Sequence, residues 1–271
     1  MNPAIGVTQW FLPGAGAYTL ALAHELGFDA VQLELGRWED GFPISSPMLQ
    51  KLYLEDSRRL NLRLLPLALN DLCGHPMTEG FGTPDGRIAR AVLETGIQTA
   101  AAMGLEGVTV PNFGRNRILS REHYEYTVEA LQFACERAQT MGLKVYTENV
   151  LTAQEQTGLF ADVGYDNLLL LFDSQNYHHA GRDCAPDVLK THAGRIGSHV
   201  HVKAGGEDRS CCLGEGEGPF GEIMQLLRDM QYAGVIVTEN QYQKRPEGHP
   251  ELTAEEWIRQ DLQIIRSGFH G

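Results

Sequence analysis

Eight short apolar runs, rich in β-branched residues and bounded by turn signals, recur along the 271-residue chain. They are Ala4–Phe11, Ala30–Leu35, Leu62–Leu69, Gly107–Pro111, Lys144–Val150, Asn167–Asp173, Ile196–Lys203 and Val235–Asn240. Continuous apolar runs of this length suit strands covered on both faces, as a parallel sheet requires. Helix-like stretches lie between them: Ala15–Leu26, Gly86–Met103, Arg121–Met141, Phe220–Tyr232 and Ala254–Arg266. Gly27, Gly104 and Gly142 stand where left-handed C-terminal caps belong, and Ser120 stands as an N-cap. The repeat "helix, glycine, polar turn, apolar strand" at LGFDAVQL, MGLEGVTV, MGLKVYT and YAGVIVT is that of βα units.

Eight such units in a chain of this length predict a (β/α)8 TIM barrel, one domain over residues 1–271. A doubly wound open sheet is the competing fold. It would carry a GxGxxG phosphate loop after the first strand, whereas TQWFLPGAGAY holds only GAGA.

Charge narrows the partners. Twenty-two Lys and Arg against 35 Asp and Glu leave a formal charge of −13. Such a chain cannot supply the cations that replace counterions on nucleic acid or an anionic membrane. Five cysteines without a CxxC argue against a disulfide framework or a structural zinc knuckle, and the vicinal Cys211 and Cys212 read as two thiols in a loop. The N-terminal residues lack the features of a signal peptide and no apolar run reaches 18 residues, so the expectation is a cytoplasmic protein.

In a barrel, the C-terminal ends of the strands line the active face. The last four runs end in Glu148, Asp173, His199 with His201, and Glu239. Carboxylates at the ends of buried strands lose hydration and repel one another, and a divalent cation relieves both costs. Glu148, Asp173, His201 and Glu239 are therefore the expected ligands of one ion. Three carboxylates and an imidazole suit Mn2+ first, with Mg2+, Co2+, Zn2+ and Fe2+ also compatible. His199 and His201 share a strand face, and His201 is nearer the mouth. Lys203, in the same phase, is placed as a cation for an oxyanion. Gln9 and Trp10 are candidates for the floor of a substrate pocket. Glu34 is placed to bind a hydroxyl or to pair with Arg37. Asn112 is a substrate-binding candidate beyond the fourth run. The long segments Asn70–Asp85 and Gly205–Gly218 read as lids.

TPDGRIARAVLETGIQTAAAMGLEGVTVP, VYTENV, LFDSQN, HVHVK, LGEGEGPFGEI and VTEN together resemble the sugar phosphate isomerase/epimerase superfamily with its xylose isomerase-like barrel. The resemblance runs through nearly the whole chain and is clearest from Asp85 to Glu239. It implies a divalent metal on the same four residues. Its ketose 3-epimerases further imply that Glu148 and Glu239 serve as an acid/base pair, one removing the proton next to a ketone and the other returning one to a cis-enediolate. The metal would polarise the carbonyl. Where those epimerases often place a histidine, this chain has Asn176, and Arg209 stands in the place of a downstream arginine. Family members are commonly dimers or tetramers, which implies a homo-oligomer.

The leading expectation is thus a metal-dependent sugar isomerase or epimerase acting on a sugar or polyol ketone. A lyase or dehydratase of the same barrel, acting on an inosose, a dehydroshikimate-like compound or a 3-keto-sugar, begins with the same proton abstraction. A non-catalytic sugar-binding barrel would be favoured if a ligand were missing. A retaining glycosidase would need no His among its carboxylates. The DNA-repair endonucleases of the superfamily need further histidines and a basic surface, which an acidic chain lacks.

Overall fold

The computed structural model describes residues 3–206 and 209–269. Among the described residues there are nine short strands: β1 (Ala4–Thr8), β2 (Ala30–Gln32), β3 (Arg63–Leu64), β4 (Leu67–Ala68), β5 (Gly107–Pro111), β6 (Lys144–Glu148), β7 (Leu168–Asp173), β8 (Ile196–Val202) and β9 (Val235–Thr238). The same residues include nine main helices: α1 (Tyr18–Leu26), α2 (Pro47–Arg59), α3 (Pro84–Ala102), α4 (Arg121–Thr140), α5 (Ala153–Val163), α6 (Ser174–His179), α7 (Ala185–Thr191), α8 (Phe220–Asp229) and α9 (Ala254–Phe269).

The sheet order is β3-β2-β1-β9-β8-β7-β6-β5-β4. The two strands at the ends of that order are halves of one expected run, Leu62–Leu69. Pro66 cannot donate to a ladder. The run breaks around it, so Arg63 and Leu64 pair with Ala30 and Val31 while Leu67 and Ala68 pair with Val108 and Thr109. Eight expected strands thus become nine, and the fold is the (β/α)8 TIM barrel of the xylose isomerase-like kind.

The chain groups into two compact units. The first holds the described residues of 1–32, 56–64 and 172–271, and the second holds 33–55 and 65–171. In the first, β1 lies between β2 and β9, with Gly6 opposite both Ala30 and Val237. Val7, Val237, Ile236 and the fully buried Trp257 of α9 fill its core. Trp257 packs edge-on against Tyr242 with ring centroids 4.8 Å apart. In the second, β5 and β6 pair from Gly107↔Lys144 to Pro111↔Glu148, and β6 continues onto β7 through Val145↔Leu168. Val108, Val110, Tyr146, Leu93 and Leu131 are wholly enclosed there.

Several helix ends follow local chemistry. Ser120 accepts from the His123 amide and starts α4. Gly27 at φ 91° stops α1, a conformation that only glycine adopts cheaply. The long segment after β4 is not a free lid. It folds into two short 3-10 turns, Asn70–Cys73 and Met77–Glu79, and Leu72 and Met77 have no exposure at all. The His75 imidazole bridges Asp85 Oδ1 and Glu39 Oε1 at 3.0 and 3.1 Å, and Arg115 reaches Asp85 and Glu79. Within the second long segment, Glu207 and Asp208 lie outside the described residues.

Candidate metal centre

Three strand ends of the first unit converge. Asp173 closes β7, His201 is the penultimate residue of β8, and Glu239 follows β9. Each offers a ligand atom within 4.8 Å of the others. Their surroundings are dry, with Asp173 and His201 each 2% exposed.

The local fold assigns each atom a task. Asp173 caps α6: its Oδ1 accepts from the amides of Gln175 and Asn176 at 2.8 and 3.3 Å. That leaves Oδ2 for a cation, and the Lys203 ammonium lies 2.9 Å from it. The same ammonium donates to Glu239 Oε2 at 2.6 Å. Burial alone would raise the Glu239 pKa. The Lys203 charge and the neighbouring His201 overcome burial and hold Glu239 well below the ordinary carboxylate range.

His201 is oriented by Gln32, the last residue of β2, which lies wholly inside the protein. Gln32 Oε1 accepts from His201 Nε2 at 2.7 Å, and Gln32 Nε2 lies 3.2 Å from His199 Nε2. Burial holds His199 neutral, with its pKa well below the usual value. One assignment satisfies the whole triad. Gln32 donates to the His199 lone pair and accepts the His201 Nε2 proton, which fixes the ring with Nδ1 toward Glu239. That nitrogen faces Glu239 Oε2 at 3.5 Å. Such a facing pair, beside a second buried carboxylate, fits a shared cation.

The remaining expected residues are placed as follows. Glu148 ends β6 as a buried carboxylate of the second unit, with its backbone oxygen accepting from the Asn112 amide at 2.8 Å. The Asn112 side chain donates to the Asn116 carbonyl at 3.1 Å, and its Oδ1 is buried with no hydrogen bond among the described residues. Glu34 does not pair with Arg37, whose guanidinium goes to Glu39 at 3.4 Å. It accepts from Asn70 instead, and burial raises its pKa against that bond. Trp10 is half-buried, with its carbonyl held by Gln243. Asn176 stands in the first turn of α6. Lys203 turns onto the carboxylates rather than outward. Arg209 is exposed and pairs with Glu247 at 3.5 Å.

Residue reading overlooked Gln32, although its place two residues before Glu34 on one strand face was a signal. It also overlooked Asn240 and Asp261. Asn240 Oδ1 accepts from the Ala204 amide at 3.0 Å, and its Nδ2 donates to Asp261 Oδ2 at 2.7 Å. These bonds fasten the segment after β8 to the segment after β9.

Comparison with known proteins agrees with this fold. Residues 20–268 match the family described as xylose isomerase-like TIM barrel. The 2-epi-5-epi-valiolone 7-phosphate 2-epimerase of Actinoplanes sp. is 29% identical over 265 residues, covering 96% of this chain and 94% of that one. The D-allulose 3-epimerase from Methylomonas sp. superposes with a TM-score of 0.74 at 18% identity, over 98% of each chain. An IolI protein with a bound zinc atom superposes with a TM-score of 0.70 at 20% identity, again over 98% of each.

Proposed function

Because this chain belongs to the xylose isomerase-like TIM barrel family, we propose that it is a divalent-metal-dependent epimerase or isomerase of a sugar or polyol ketone. The observation that carries the reading is the grouping of buried Asp173 and His201 with partly buried Glu239, their ligand atoms close together beside Lys203. Glu148, at the end of the neighbouring strand, completes the proposed ligand set. Three carboxylates carry three negative charges and Lys203 returns one positive, so a dication brings the site to neutrality. A dry site favours such a balance.

When bound, the ion supplies a Lewis acid for the ketone oxygen; Mn2+ heads the candidates, followed by Mg2+, Co2+, Zn2+ and Fe2+. The protein's own groups do the rest. Glu148 and Glu239 are the proposed proton carriers, one lifting the proton next to the ketone and the other returning one to the enediolate. Lys203 keeps Glu239 in its proton-accepting form. Gln32 and neutral His199 fix the ring and tautomer of His201. Trp10, Glu34, Asn112, Asn176 and Arg209 are the proposed contacts to substrate hydroxyls and C–H faces.

The relatives are named for 2-epi-5-epi-valiolone 7-phosphate in one case and for D-allulose and D-psicose in others, and this supports the substrate class. The test is incubation with ketoses, inososes and 3-keto-sugars in heavy water, with Mn2+ and after chelation. One deuterium at the carbon next to the carbonyl, without loss of water and dependent on metal, is the expected outcome. Loss of water would transfer the protein to the lyase reading. No exchange with any substrate under any metal loading would overturn both.

A further inference from the structure

We propose that Cys212, Glu215 and His249 form a second metal site, separate from the candidate centre and suited to a thiophilic dication such as Zn2+. Each residue offers one ligand atom within 4.8 Å of the others. Cys212 and Glu215 lie in the segment after β8 and His249 in the segment after β9, all within the first unit.

The donor chemistry differs from that of the candidate centre, where no sulfur takes part. The Cys212 thiol is free and its residue has no exposure. Its neighbour Cys211 is not among the grouped ligands. A thiolate with an imidazole and one carboxylate is a set that zinc accepts, leaving a fourth position for water. The distances are near the required ones. Ligand atoms of a tetrahedral zinc lie roughly 3.3–3.7 Å apart, given bonds of about 2.0–2.3 Å. His249 Nε2 and Glu215 Oε2 are already 3.1 Å apart. The widest pair needs to close by no more than about 1.5 Å.

The support around the imidazole is also in place. Glu251 Oε1 lies 3.3 Å from His249 Nδ1, so a carboxylate takes the ring nitrogen remote from Glu215. That is the carboxylate–histidine–metal arrangement that fixes the tautomer of a ligating histidine. A thiol ligand ionises as the metal takes the place of its proton. Loading therefore releases the thiol proton and any second proton on His249 to solvent, with no change of oxidation state. The ion would clasp the two segments that Asn240 and Asp261 already join.

Cobalt titration followed by near-ultraviolet absorption tests the site, because only a thiolate ligand gives a sulfur-to-cobalt charge-transfer band. The wild-type protein is expected to develop that band, saturating at one equivalent of thiolate-bound cobalt. Glu239→Gln, which impairs the candidate centre, and Cys211→Ser should retain it, and Cys212→Ser should abolish it. His249→Gln, on a half-exposed residue where folding is not at stake, should weaken the cobalt affinity by at least about tenfold. No band in the wild-type protein at saturating cobalt overturns the site. So does a band unchanged in Cys212→Ser, or an affinity unchanged in His249→Gln. The readout needs no catalytic activity, so it stands apart from the proposed function.

Discussion

At the residue scale, the strand-end carboxylates and imidazole of the candidate centre were legible because parallel strands deliver their last residues to one face of the barrel. Gln32 was not, because its role depends on register. Only with β2 in place does its amide span His199 and His201. The contacts of Lys203 were equally hidden, since spacing sets the face of a side chain and not where a flexible ammonium settles. Two predictions belong here. Glu239→Gln removes a proton carrier and should lower kcat by roughly 10²–10⁴-fold with the fold intact, as steady-state kinetics and circular dichroism would show. Gln32→Leu leaves all four proposed ligands in place but frees the His201 ring. Mn2+ affinity should fall by about 10–100-fold in a calorimetric titration. An unchanged affinity would mean that Gln32 has no part in ligand orientation.

At the element scale, long periodic helices with clear caps were readable, and α4 begins at Ser120 as its hydroxyl suggests. The shorter α5 was not recognised, although Thr152 and Glu155 form a reciprocal capping box at its start. The turn residues there lie directly beyond a strand end, where a loop was the simpler reading. Thr152→Ala should destabilise the protein by about 1 kcal/mol in urea unfolding, with the slope unchanged. A larger cost is expected at β5. A Cβ on Gly107 would stand 2.1 Å from the Lys144 carbonyl oxygen, which is backbone and held in the sheet. Gly107→Ala should cost about 1–3 kcal/mol or more. Equal stability would show that β6 can slide away.

At the scale of the whole molecule, the alternation of strands and helices identified the fold, while the break at Pro66 and the polar ties between segments emerged only in three dimensions. The most consequential tie is Asp261, which accepts from Leu213, Asn240 and Tyr242 inside the protein. Burial raises its pKa from 3.8 to about 7 against those bonds. Between these values the native state binds a proton that the unfolded chain has released. Stability should therefore fall as pH rises through this window, by up to about 1.4 kcal/mol per pH unit. Asp261→Asn should flatten that slope, as urea unfolding across pH 4–8 would show, and equal slopes would refute the assignment. The central claim is that Glu148, Asp173, His201 and Glu239 hold one catalytic dication. Anomalous diffraction at the manganese edge from a Mn2+-loaded crystal tests it most directly. The account predicts a single strong peak within bonding distance of all four side chains; no peak there at full loading would contradict it.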